Sequence, residues 1–206
     1  MNKVVIIADI GQAHEGSVGM AHSYIDALAN TGVDIVKFQT HIAEAESSLE
    51  EPFRVNFSYE DKTRYDYWKR MEFTLEQWNG LKKHCDDVDL EFMSTPSCLS
   101  AVDLLEKVGV KRYKIGSGDL TNKLLLKKIA QTGKPTFISS GMSTMNEIRQ
   151  AVKYLMQFGN KYSIFHCTSK YPTEPEDIRL DLIKKYKSEF DCPIGFSDHS
   201  GSIFPS

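Results

Sequence analysis

Two lysines stand where a strand-forming sequence has least use for charge. Lys37 lies within Ile-Val-Lys-Phe-Gln and Lys114 within Tyr-Lys-Ile-Gly, each flanked by apolar residues of high strand propensity. Side chains alternate across a strand, so Lys37 and Gln39 share one face. If that face is closed to water, an ammonium on it is costly unless it meets a carboxylate or an anionic ligand. Internal ion pairs to Asp9 and Asp119, or lysines turned outward, would account for the same residues without a ligand. Two turns of small residues favour the ligand. In Gly116-Ser117-Gly118 and Ser140-Gly141-Met142-Ser143, backbone N–H groups can approach an anion near a helix start while hydroxyls add donors. With Lys114 these turns form a plausible phosphate cradle. His199, after Ser197 and Asp198, offers an imidazole that can bind a divalent metal or hydrogen-bond a hydroxyl. His14, His41 and His166 stand at other candidate strand ends, but no His-x-His or His-x-x-x-His pair exists, so spacing alone does not specify a metal.

These residues need a scaffold that delivers them to one place. Short β-branched or aromatic runs recur at Val4 to Ile10, Ile35 to Phe38, Glu91 to Ser94, Arg112 to Gly116, Thr136 to Ser139, Tyr162 to His166 and Pro193 to Ser197, each followed by a helical pattern. Helix starts are marked by capping-box spacing at Thr74 with Gln77 and at Thr144 with Glu147, and stops by Gly32, Gly109, Gly133 and Gly159. Alternating strands and helices predict βα units and a parallel sheet. Seven such units, without a Gly-x-Gly-x-x-Gly turn after the first strand, predict an α/β TIM (β/α)₈ barrel over residues 1–206, incomplete by about one βα unit, rather than a dinucleotide-binding fold. In a barrel the C-terminal strand ends carry the site. Those ends supply Asp9, Lys37, Gln39, Thr95, Lys114, Ser117, Asp119, Ser140, Gly141, Tyr171, Ser197 and His199. The charged and aromatic stretch from Ala43 to Phe73 is too long for a simple βα loop and predicts a partly helical excursion over those ends. Its Tyr65, Tyr67, Trp68 and Phe73 are expected to pack the excursion rather than to wall the site.

Bulk composition narrows the function classes. Apolar residues make up 41% and charged residues 26%, ordinary globular usage. The 25 basic and 28 acidic side chains leave a net charge of −3, which asks for neither nucleic acid nor an anionic membrane, so an anionic ligand must be held by local charge. The apolar stretch near the start is interrupted by Asp9 and is too short to span a bilayer. Four cysteines without a Cys-x-x-Cys pair predict a reduced, cytoplasmic protein.

The motifs together resemble those of a known family. The segments Ile7 to Gly16, Val36 to Thr40, Ser94-Thr95-Pro96, Tyr113 to Asp119, Ser140-Gly141-Met142, His166-Cys167-Thr168 with Tyr171-Pro172-Thr173, and Gly195 to His199 are similar, in order, to the motif set of the N-acetylneuraminate synthase family. That resemblance implies a metal-dependent condensation of phosphoenolpyruvate with N-acetylmannosamine or a related amino sugar. Carbon 3 of phosphoenolpyruvate attacks the sugar aldehyde, water adds at carbon 2, and phosphate leaves with C–O cleavage. It further implies that Lys114, Ser117, Ser140 and Ser197 hold the phosphate, with Gly141 in the same turn. Lys37 and Thr95, helped by Gln39, would hold the carboxylate, Tyr171 would contact sugar hydroxyls, and His199 would be one of two histidine ligands to manganese or magnesium. Asp9 and Asp119 stand where the family usually, or often, has glutamate, and a role for Asp9 in proton transfer or sugar orientation follows less directly. The family's second histidine ligand belongs to an eighth strand, and its C-terminal antifreeze-like domain reaches across a homodimer to the partner's sugar site. Neither lies within these 206 residues, so the expectation is that this polypeptide alone is inactive and poorly stable. Two further readings of the same residues are a Schiff-base aldolase using Lys37 or Lys114 and an inactive phosphate-binding fragment.

Overall fold

The computed structural model describes residues 4–205. The chain folds as two compact units, the first ending at Lys111 and the second beginning at Arg112.

The first unit contains β1 (Ile7–Gly11), α1 (Val18–Leu28), β2 (Ile35–Thr40), α2 (Ala43–Glu46), α3 (Arg64–Met71), α4 (Leu75–Asp87), β3 (Glu91–Pro96) and α5 (Leu99–Val108). β1 pairs with β2 and β2 with β3, both in parallel, with Asp9 beside Lys37 and Gln39 beside Thr95. The register slips by one residue between Asp9 and Gly11, which ends regular pairing just where β1 delivers its polar residues. Phe38 is fully buried and meets Trp78 of α4 edge-on, with ring centroids 5.8 Å apart, so the even-numbered positions of β2 face the helices. Strand alternation then turns Lys37 and Gln39 to the opposite face. The core under the helices is built from Ala21, Ile25, Val36, Leu81, Ala101 and Leu105, all at 0% exposure.

The second unit contains β4 (Tyr113–Ile115), α6 (Lys123–Ala130), β5 (Thr136–Ser139), α7 (Met145–Met156), β6 (Tyr162–His166), α8 (Asp181–Glu189) and β7 (Ile194–Phe196). Its strands pair in parallel in sequence order. Register places Lys114, Phe137, Phe165 and Gly195 along one face and Ile115, Ile138, Ile164 and Ile194 along the other. The isoleucine face belongs to the helix-side core with Leu125, Ile129, Ile148 and Leu155.

Strand–helix repeats joined only by parallel pairings are the architecture predicted, an α/β fold of the TIM-barrel type. Predicted strands and observed strands differ at their ends. The first begins at Ile7 rather than Val4, because Val4, Val5 and Ile6 are exposed. Both predicted capping boxes form, at Thr74 with Gln77 and at Thr144 with Glu147. Gly109 closes α5 in the left-handed conformation, φ 81°, where a Cβ would be strained. The excursion carries α2 and α3, the latter opened by a further capping box of Thr63 and Asp66.

Candidate functional site

In the first unit, β1 and β2 bring Asp9 and Lys37 together. The Lys37 ammonium lies 2.7 Å from the Asp9 carboxylate, with the lysine side chain 8% exposed and the aspartate 49%. The internal ion pair weighed from the sequence therefore exists, and it leaves one side of the carboxylate to solvent. Gln39 stands two residues on, and a Cβ built at Gly11 would meet Asp9 Oδ1 and Gln39 Nε2, each at 3.6 Å. The bulged glycine thus keeps open a space lined by a carboxylate and an amide NH2. Thr95, half-buried, sits beside Gln39 on β3.

The α2–α3 excursion encloses a second polar group in this unit. His41 donates from Nδ1 to the Glu46 carboxylate, 3.0 Å from either oxygen, while its ring stacks on Trp68 with centroids 3.9 Å apart and planes 5° from parallel. Tyr67 and Phe73 are buried, as expected of packing residues, and Tyr67 donates to Gln12 Oε1 at 3.1 Å. His14 is fully buried, accepts from the Gly16 N–H at Nδ1, and packs against Phe73. Burial lowers its pKa to about 4, against a weaker raising effect of Glu15. His14 is therefore a neutral core imidazole.

In the second unit, Lys114 is 5% exposed and on the face away from the helices. Its ammonium donates to Ser139 Oγ and lies 4.6 Å from the centre of the Phe165 ring. A cation resting on a ring face is attracted by the negative face of the ring. Ser117 opens a single 3₁₀ turn, Ser117–Asp119, and its hydroxyl accepts from the Gly141 N–H at 3.2 Å and meets Cys167 Sγ at 3.3 Å. A side chain at Gly141 would press to 2.7 Å from Cys167 Sγ and 2.6 Å from Ser169 Oγ, which is why the turn needs glycine. The structure thus joins Ser117 to the turn at Gly141 and Lys114 to the end of β5.

The two serines at that end divide their work in a way the sequence did not indicate. Ser139 meets the lysine, whereas Ser140 donates its hydroxyl to Phe165 O and accepts from Tyr186 of α8, both at 3.1 Å. Burial raises the pKa of Tyr186, and the bond it donates to Ser140 needs the protonated phenol. His166 likewise turns to the helix side, donating to Ile178 O at 2.7 Å and lying near Tyr186. The strand end at Ser139 matches the one predicted from the sequence, and face alternation sorts both residues once the register of β5 against β4 is known.

After β7, His199 donates from Nδ1 to Thr168 O at 2.7 Å, and Tyr171 Oη lies 3.4 Å from His199 Nε2 with the rings 4.3 Å apart. A carbonyl on Nδ1 fixes the tautomer and leaves a lone pair on Nε2, the arrangement of a histidine that ligates a metal. Among the described residues no group of three or more His, Cys, Asp or Glu is placed to hold a metal ion, so His199 supplies at most one ligand of a site. Ser197, whose N–H donates to His166 O, and Asp198, which accepts from Ser200, shape the same turn. Asp119 lies in the 3₁₀ turn, and its N–H is satisfied by Gly116 O. The four cysteines are free thiols.

Comparison with known proteins identifies the lineage. The NeuB family model matches residues 24–205. The chain belongs to the NeuB family. This NeuB chain is 33% identical over 209 residues to the N,N'-diacetyllegionaminic acid synthase of Campylobacter jejuni, covering 98% of this chain and 63% of that one. It is 34% identical over 202 residues to the N-acetylneuraminate-9-phosphate synthase of Homo sapiens, covering 96% and 56%. Among solved structures it superposes on the N-acetylneuraminic acid synthetase of Leptospira borgpetersenii, determined in complex with citrate, with a TM-score of 0.87 at 31% identity, covering 98% of this chain and 67% of that one. The NeuB chain thus spans a little over half the length of the first two relatives.

Proposed function

We propose that this chain is the catalytic barrel portion of a synthase that condenses phosphoenolpyruvate with N-acetylmannosamine or a related N-acetylated amino sugar, giving a sialic acid-type nonulosonic acid and inorganic phosphate. The observation that carries the reading is that each unit turns one buried lysine, Lys37 and Lys114, onto the strand face away from its helices. Buried ammonium groups retained on that face make sense as anion holders.

The roles follow residue by residue. Lys37, Gln39 and Thr95 take the carboxylate of phosphoenolpyruvate, Lys37 exchanging part of its contact with Asp9 for the substrate. Lys114, Ser117 and Ser197, with the Gly141 turn, take the phosphate, while Ser140, whose hydroxyl and N–H both go to Phe165 O, braces that turn from the helix side. Ser139 joins this group through its contact with Lys114. Fixed cations and donors act by holding the trianionic reactant against the electrophile and by meeting charge as it shifts onto phosphate oxygens. Tyr171, 74% exposed, contacts the sugar, and Asp9 and Asp119 orient sugar hydroxyls or carry protons. His199 Nε2 contributes one ligand to a manganese or magnesium ion, which when bound would act as a Lewis acid on the sugar carbonyl oxygen. The protein that carries this chain works as a homodimer, with no nucleic-acid or membrane partner, in the cytoplasm. No helix among the described residues is long and apolar enough to cross a membrane.

Phosphate release from phosphoenolpyruvate by the protein that carries this chain together with an eighth strand, dependent on both the amino sugar and a divalent metal, tests the reading. Lys114→Met and Lys37→Met are each expected to lower the rate by 100-fold or more (on the order of 3 kcal/mol in barrier) with unchanged circular dichroism. Phosphate release that survives both substitutions overturns it. The Schiff-base alternative predicts covalent trapping by borohydride with pyruvate. The Asp9 carboxylate against Lys37 and the ring beneath Lys114 present two held cations rather than bare amines.

A further inference from the structure

His41 is more constrained than packing requires. Glu46 takes Nδ1–H with both carboxylate oxygens and is itself held by the Ile42 N–H at 2.8 Å. Trp68 covers one ring face, Arg64 lies 5.5 Å from the centre of the Trp68 ring, and the histidine side chain is 9% exposed. Every feature fixes where the second nitrogen points. Nε2 points at Gln39 Oε1, 3.4 Å away.

Two nitrogens facing acceptors require two hydrogens. An ionised carboxylate only accepts, and so does the amide carbonyl oxygen, so this arrangement is satisfied only when both ring nitrogens carry hydrogen. The consequence falls on the other end of the amide. With Oε1 turned to His41, Gln39 Nε2 faces the space beside Gly11 and Asp9, next to the Lys37 ammonium. A ring lacking the second hydrogen would reverse the preference, drawing the NH2 group to itself and turning the carbonyl oxygen into that space. A carboxylate ligand would then meet a lone pair instead of two donors. At 3.4 Å the contact is at the long end of hydrogen bonding, weak enough for the amide to turn.

We propose that His41, gripped by Glu46 and Trp68, is a positioning residue that sets which end of the Gln39 amide faces the carboxylate of phosphoenolpyruvate. His41 touches no substrate atom; it acts through Gln39. The proposal rests on the assignment of Lys37, Gln39 and Thr95 to that carboxylate.

The test is binding of phosphoenolpyruvate by titration calorimetry, with inorganic phosphate as a probe that lacks the carboxylate. His41→Phe keeps a ring for Trp68 and removes both donors. It is expected to weaken phosphoenolpyruvate binding about 10-fold, roughly the worth of one charge-assisted hydrogen bond, and to leave phosphate binding unchanged. His41→Gln, whose amide can donate to Oε1, is expected to recover most of the loss, which a merely structural histidine would not predict. A second measurement needs no variant. Nitrogen-15 spectra of the unsubstituted protein with phosphoenolpyruvate bound should show hydrogen on both nitrogens of His41. Equal phosphoenolpyruvate affinity in His41→Phe, or an Nε2 without hydrogen, overturns the inference while leaving the carboxylate assignment standing. If Lys37→Met also leaves that affinity unchanged, the carboxylate assignment itself fails and the inference falls with it.

Discussion

Lys114 and Ser140 show how far residue type and spacing reach. A lysine between strand-forming residues announced itself in the sequence, and the structure puts it at 5% exposure, on a ring face and a hydroxyl. Which of two adjacent serines meets it was not legible. Alternation sends neighbours to opposite faces, and although the end of β5 at Ser139 was read correctly, only its register against β4 decides which serine shares the face of Lys114. His14 was legible as a strand-end residue, but not as part of the core, because its neighbours Phe38 and Phe73 come from distant segments. Its burial has a measurable consequence. The folded-state pKa, about 4, lies below the ordinary 6.5, so the unfolded chain binds the proton more readily between these values. The stability this histidine contributes is fully present above about pH 6.5 and is lost as the pH falls towards 4, by up to ~3 kcal/mol. Urea titrations across that window should show this slope, and His14→Phe should flatten it. An unchanged slope in the variant would refute the assignment.

At the scale of elements, local rules were sufficient where the partners are close in sequence. Capping boxes are three-residue patterns, and the two read from the sequence form as drawn. Thr144→Ala, which removes the acceptor for the Glu147 N–H at the start of α7, is expected to cost about 1 kcal/mol in denaturant unfolding. The four-residue α2 was not foreseen, since so short a helix has no periodicity to detect. Gly195 is a case in which spacing said little and packing says much. A Cβ there would lie 2.6–2.9 Å from three atoms of the Phe165 ring, the ring beneath Lys114. Gly195→Ala is therefore expected to tilt that ring, lower stability by 1–3 kcal/mol as an overpacked site, and weaken binding of inorganic phosphate at the same time. Wild-type phosphate affinity in a destabilised Gly195→Ala protein would separate the ring from the cradle.

For the molecule as a whole, the fold class was legible because seven βα repeats leave little choice of topology, and the family because seven motifs occur in the right order. The acceptor sugar was not, since a residue proposed to read it, Tyr171, lies in an exposed turn whose conformation the sequence pattern does not specify. A ligand that binds only the folded chain raises its melting temperature. Phosphoenolpyruvate at 100 times its dissociation constant should stabilise by about 2.7 kcal/mol, or on the order of 5–10 °C for a chain of this size, and Lys114→Met should abolish the shift. The stacked pair of His41 and Trp68 gives this molecule a built-in optical reporter. Of the two indoles, Trp78 is sealed in the core at 1% exposure while Trp68 lies against an imidazole whose proton count is tied to the amide of Gln39. A protonated imidazole quenches indole emission, so if His41 carries both hydrogens Trp68 should be dim in the folded protein and brighten in His41→Phe, while Trp78 emission stays as it is.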